Sequence, residues 1–177
     1  MKLHDGDRFL KIAVEACQKL IDTKSYSLST TKESGLPAYQ SLFCSTDLTQ
    51  NPEMILVADY DKALGRLHNA QAQFDYTPGL SRSLMEDYLV VKDGHTEYFH
   101  QVEGYKTKTV LEVFENRDPR LEQTFMKPGV LNVGTTEPHR TKLNLGGYPQ
   151  IKFRPLTFEQ IDWGKSYTDL PIIRYAE

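Results

Sequence analysis

Asp169-Leu-Pro-Ile-Ile-Arg-Tyr-Ala-Glu177 opens like a helix. Asp169 is placed to cap exposed backbone N–H groups, and Pro171 falls in the first turn, where its missing N–H costs nothing. An apolar run then begins at once. No helix body follows within the 177 residues, so the segment reads as the start of a truncated helix and the chain as a piece of something larger. At the other end, Asp5 or Asp7 caps a helix predicted to run to about Thr23. Phe9, Ile12, Ala13, Ala16 and Leu20 repeat at helical spacing, and Leu10, Val14, Cys17 and Ile21 form a second stripe beside them. Lys11, Glu15, Gln18 and Asp22 are left as a narrow polar strip, so the apolar arc is roughly 200° wide and the helix needs neighbours on two sides. A helical-repeat array supplies such neighbours, because each repeat buries its faces against the next.

Between these ends the signals are shorter. Ser29 to Asn51 has no sustained periodicity and reads as extended loop. Met54 to Ala58 reads as a buried strand, Ala63 to Phe74 as a short helix weakened by Gly65 and Asn69, and Thr77-Pro-Gly-Leu80 as a turn. Ser81 caps a helix to Asp87. The apolar run Tyr88 to Val91 ends at Lys92-Asp93-Gly94, a turn leading to a strand near Glu97 to Val102. A short amphipathic helix is expected over Thr107 to Glu115, with strands at Leu121 to Met126 and Gln150 to Phe153. Lys127 to Gln150 is rich in Gly, Thr, Asn and Pro. Structureless loops beyond about 12–15 residues usually serve a site or are disordered, so several of them favour a helical scaffold carrying a loop-built surface.

Composition narrows the function classes. At 177 residues one domain or lobe is expected, and an apolar fraction of 39% with 11 Gly and 9 Pro suits a loop-rich globular protein. A net charge of −3 gives no electrostatic reason to bind nucleic acid or an anionic membrane. Cys17 and Cys44 have neither metal-type nor redox spacing. The longest uncharged apolar run, Met54 to Ala58, is too short to span a bilayer, and the amino terminus lacks the apolar core of a signal peptide; the chain as given reads as soluble.

Three internal motifs add to the two ends: Pro52-Glu-Met-Ile-Leu-Val-Ala58, Tyr88-Leu-Val-Val-Lys-Asp-Gly94, and Asn116-Arg-Asp-Pro-Arg-Leu121 with Pro128-Gly129 after it. With Thr168 to Glu177 they span residues 52 to 177, and in kind and order they resemble the SusD/RagB family of outer-membrane nutrient-binding lipoproteins. The helix ending in Lys24-Ser-Tyr-Ser-Leu28 resembles the family's preceding repeat helix. The resemblance implies a mainly α fold, a scaffold related to tetratricopeptide repeats with long loops and small β-hairpins. It divides the chain into a repeat helix (1–28), a loop-rich ligand-facing region (29–168) and the start of a truncated repeat helix (169–177). It also implies capture of a glycan at the cell surface, delivery to a SusC-like TonB-dependent transporter, and a lipid anchor upstream in the parent protein. No cofactor or metal is implied. In that family the ligand-contacting residues lie in variable loops, so candidates come from chemistry.

Glycan recognition needs aromatic faces for the apolar side of a sugar ring, with directed hydrogen-bonding groups beside them. Two regions offer both: Tyr60 to Tyr76, with Arg66, His68, Asn69 and Phe74, and the surroundings of Trp163, with Asp162, Lys165 and Tyr167. The candidate ligand-binding residues are Trp163, Tyr76, Tyr60, Arg66, His68 and Asn69. The competing reading for each aromatic is packing of loop against scaffold.

Enzymatic readings find less support. Asn116-Arg-Asp-Pro-Arg-Leu121 holds a carboxylate between two guanidiniums, which disfavours its acid form. The expected role is structural, with Pro119 fixing a turn, Asp118 satisfying backbone donors and the arginines meeting carboxylates or carbonyls. Asp93, His95, Glu97 and His100 read as a solvated hairpin in preference to a metal cluster. No Gly-rich phosphate loop, nucleophile motif or singled-out carboxylate pair is present, so no catalytic residue is assigned. Peptide binding by a member of the same family, a carbohydrate-cleaving enzyme, and an interaction lobe that touches only the transporter remain as alternatives.

Overall fold

The computed structural model describes residues 5–71, 73, 79–139 and 147–176. Helix α1, Asp5–Thr23, forms where the two stripes predict it and ends as Lys24 turns into the left-handed region at φ +53°. From Gly6 to Thr23 every side chain is exposed except half-buried Leu20, and Val14 is 67% exposed. Among the described residues nothing covers either stripe. A tetratricopeptide-type array of paired helices is likewise not seen among them: α1 is the one long helix, and Ala38–Ser41 and Arg82–Asp87 are short.

The truncated-helix reading of the last segment is corrected. Leu170–Arg174 is a strand, β4, antiparallel to β1 (Met54–Ala58), with Met54 opposite Arg174, Leu56 opposite Ile173 and Ala58 opposite Leu170. The cause is tertiary. Asp169 is wholly buried, and its carboxylate accepts Leu48 N–H and Tyr60 N–H, each at 2.8 Å, so it caps two distant loops and not its own helix. Beyond it, the adjacent β-branched Ile172 and Ile173 suit a pleated ladder, and Pro171 sits in a two-stranded sheet, where a missing N–H is tolerated at the edge. Tyr175 N–H extends the pairing to Glu53 O at 2.8 Å, and Arg174 meets the Glu53 carboxylate at 3.3 Å. The Tyr175 ring stacks on Tyr26 at 6.2 Å, which fixes the end of β4 beside the segment leaving α1.

β2 (Val90–Lys92) and β3 (His95–Glu97) form the second ladder, with Lys92 opposite His95. Asp93 and Gly94 both take positive φ, +51° and +79°, as a two-residue hairpin turn requires. The strand begins two residues earlier than expected, and the chain then coils into a 3-10 turn at Phe99–Gln101. His95, Glu97 and His100 are exposed, and His100 stacks on Tyr98; among the described residues no group of three ligands is placed to hold a metal ion.

Other short elements differ from expectation. Residues 61–66 form a closed turn and not a helix, because Asp61 Oδ1 accepts Ala63 N–H and Leu64 N–H, Gly65 takes φ +68°, and Asp61 and Arg66 exchange backbone bonds. Helical backbone appears at 70, 71 and 73 instead, while Phe74 and Tyr76 lie outside the described residues, as do Thr77 and Pro78. The Thr107 to Glu115 helix contracts to a 3-10 turn at Glu112–Phe114, which still buries Val113 and Phe114. Neither Leu121 to Met126 nor Gln150 to Phe153 becomes a strand; only Phe125 and Gln150 bridge, because the chain after Leu121 coils back through Phe125 N–H to Leu121 O.

The Asn-Arg-Asp-Pro-Arg motif has the structural role expected of it. Arg117 is buried and donates to Val113 O, Met85 O and Tyr88 O at 2.6–2.7 Å, with its guanidinium 4.0 Å from the Phe99 ring centre. It thereby joins the short helix Arg82–Asp87, whose Ser81 cap accepts Leu84 N–H, to the main apolar cluster around Met85, Phe99, Leu121 and Phe125. Arg120 grips Asp118 through two nitrogens and holds its carboxyl below the usual carboxylate range. A second cluster, Leu42, Phe43, Leu48 and Met54, lies under β1 and supports the cleft described next.

Candidate ligand-binding cleft

Two loop regions distant in sequence are joined along a backbone seam. His68 and Ser166 exchange N–H···O bonds of 2.9 and 3.2 Å. The His68 ring strengthens the seam: Nδ1 accepts Ala70 N–H at 3.0 Å, so Nε2 carries the proton and donates to Thr168 O at 2.9 Å. Burial holds this imidazole's pKa below its ordinary value, opposed by the hydrogen bond to Thr168 and the charge of Asp169. On the far loop, Gln160 Oε1 accepts Thr168 Oγ1–H and Tyr167 N–H, and Ser166 Oγ–H donates to Gln160 O. Gln160, Ser166 and Thr168 are all buried, so these polar groups find partners inside the protein, as buried polar groups must.

Beside the seam lies a cleft of about 370 Å³, lined by Thr46, Asp47, Thr49, Asp59, Tyr60, Asp61, Lys62, Ala63, Arg66 and Tyr167. Tyr60 is held by its own N–H on Asp169, and its ring is backed by His68 at 4.2 Å, which leaves it half-buried at the cleft wall. Arg66 meets Asp59 at 3.1 Å and Asp61 at 3.9 Å. Lys62 bonds Glu159 at 2.6 Å and stands 5.7 Å from the Tyr167 ring centre. Asp47 accepts the hydroxyl and N–H of Thr49, which lower its pKa. The cleft thus carries hydroxyls, carboxylates, a planar guanidinium and two tyrosines within one opening.

The sequence-derived candidates divide clearly. Tyr60 and Arg66 line the cleft, and His68 supports Tyr60 from behind. Asn69 is structural in part, since its side-chain oxygen accepts Gly164 N–H and pins the loop bearing Trp163. Gly164 has φ +69°, and Trp163 beside it is 62% exposed, outside the cleft lining. Asp162 and Lys165 bridge each other at 3.0 Å on the same exposed turn. Tyr76 lies outside the described residues. Sequence reasoning missed Thr46, Asp47, Thr49, Asp59 and Asp61; the two Asp-X-Thr and Asp-Tyr-Asp runs are turn chemistry without a mark of their own. A second cavity, about 410 Å³, lies between residues 37–40 and 114–123 and includes Arg117 and Phe114. Its aromatic, Phe114, is buried in the core, so it presents no ring face to a sugar.

Among the described residues no helix is long and apolar enough to cross a membrane. No curated protein and no solved structure matches the chain. Residues 52–177 match the model of the SusD family; that is well over half of the sequence, and the chain belongs to this family of nutrient-binding, non-enzymatic cell-surface proteins.

Proposed function

We propose that the chain captures a poly- or oligosaccharide at the outer face of the outer membrane and passes it intact to a SusC-like TonB-dependent transporter, its parent protein being held by a lipid anchor. The reading is supported above all by one observation: the His68–Ser166 backbone seam ties the segment that follows Tyr60 to the segment that follows Trp163. Tyr60 offers a ring at the cleft wall, Trp163 a larger exposed face on the neighbouring turn, and Asp47, Asp59, Asp61 and Arg66 offer hydrogen bonds to hydroxyl pairs. Stacking and directed hydrogen bonds of this kind give weak affinity that selects ring shape, and the transporter adds to it by closing on the same ligand.

Arrays of glycans and of peptides test the proposal together. Retention by glycans, lost in Tyr60→Ala or Trp163→Ala while the circular dichroism spectrum and melting temperature stay unchanged, is expected. Retention by peptides alone points to the peptide-binding alternative, and release of shortened sugars points to an enzyme. Either result ends the proposal.

A further inference from the structure

The charges around the cleft are unevenly matched. Three carboxylates line it, Asp47, Asp59 and Asp61, against two cations, Lys62 and Arg66. Both cations are already paired with carboxylates of the protein. Arg66 is shared between Asp59 and Asp61, and Lys62 is paired with a fourth carboxylate, Glu159, so two negative charges of the group are left over. Among the described residues no cation bridges Asp47, which holds only the Thr49 donors and so keeps its charge facing the opening. Arg66 remains a planar donor of hydrogen bonds with its charge already answered, which suits a sugar hydroxyl better than a uronate.

We infer that the cleft takes uncharged sugar rings and turns away those bearing carboxylate or sulfate. The inference rests on the reading of the cleft as a glycan site and names the ligand class of that site. Each unanswered carboxylate repels an anion that enters the cleft. In a solvated cleft two such charges at about 6–9 Å weaken binding by about five- to tenfold at low ionic strength. Salt shortens the Debye length from about 10 Å at 0.1 M to about 3 Å at 1 M, so the discrimination is salt-dependent.

The experiment uses matched oligosaccharide pairs on the full chain: mannan against mannuronate, galactan against galacturonate, and glucan against glucuronate. Affinity is measured at 20 mM and 500 mM NaCl. At least one neutral partner is expected to bind about five- to tenfold more tightly than its uronate at low salt, with the gap narrowing at high salt. Asp47→Asn is expected to narrow it as well, by about twofold. Equal or tighter uronate binding that Tyr60→Ala abolishes would overturn the charge rule while leaving the glycan site standing. Absence of binding by all six sugars would overturn the glycan site and the charge rule together.

Discussion

Replacing Asp169 with alanine tests how the cleft is attached to the rest of the molecule. Its carboxylate accepts Leu48 N–H and Tyr60 N–H at 2.8 Å each, across 121 and 109 residues of sequence, and it is 0% exposed. A hydrogen bond to a charged acceptor contributes about 1.5–3 kcal/mol, and a buried donor left unmet costs about 1–3 kcal/mol. Leu48 is itself buried, so its N–H has no solvent to turn to, whereas Tyr60 is half-buried and recovers part of its loss from water. The expected cost of Asp169→Ala is therefore about 3–5 kcal/mol. For a chain of this length that lowers Tm by roughly 6–20 °C. Asp169→Asn keeps one acceptor and presents an N–H group to the other donor, so an intermediate loss of about 2–3 kcal/mol is expected. Urea denaturation followed by circular dichroism measures both, and amide hydrogen exchange reads Leu48 and Tyr60 individually. A loss below about 1 kcal/mol for Asp169→Ala, with both amides still protected, would refute the assignment of this carboxylate as the joint between the 45–60 segment and β4.

Acidification is expected to loosen the seam. The folded-state pKa of His68 is depressed, so its contribution is fully present above the ordinary value of 6.5 and is lost as pH falls from there through the folded value, where the unfolded chain binds the proton first. A melting temperature that falls between pH 7.5 and 5, and falls less in His68→Gln, is the expected result; identical pH profiles would count against it. Arg117→Lys retains the charge but reaches at most one of the three carbonyls that Arg117 serves, so a loss of about 2–4 kcal/mol in urea denaturation is expected, against less than 1 kcal/mol if the motif is merely exposed turn. Thiol labelling at pH 8 should modify Cys17, exposed on α1, within the mixing time of the reagent. Cys44, buried and with its thiol pushed up to about 12 by that burial, should react only as the chain unfolds; equal rates would contradict the burial of Cys44.

Features with local causes were legible in the sequence. The stripes of α1, the Ser81 cap and the Asp93-Gly94 turn each depend on residues within a few positions of one another, and each forms as read. Asp169 carries a true capping signal that is answered elsewhere, because its two donors arrive from positions 48 and 60, in the loops on either side of β1. Pattern reading at 170–174 therefore chose the wrong element, and tertiary pairing with β1 decided it. The same holds for 61–66, where a single Asp61 side chain diverts the backbone from helix to turn.

The site shows a similar division. Tyr60, Arg66 and Trp163 stand out by chemistry as aromatic and guanidinium groups in polar surroundings. The residues that bring their loops together, Gln160, Ser166 and Thr168, are neutral side chains whose importance lies in being buried and paired. Nothing in composition or spacing distinguishes such residues from ordinary loop. The aromatic candidates could be named from the sequence, but the backbone seam between residues 68 and 166 could not.

Whether the Tyr60 and Trp163 loops bind one ligand together is read by an amide and indole NMR titration of the full chain with the strongest neutral glycan. Shifts are expected at residues 46–49, 59–69 and 160–168, including the Trp163 indole N–H, all following one saturation curve. Shifts confined to the 37–40 and 114–123 cavity, or two loops titrating with different affinities, would contradict joint binding.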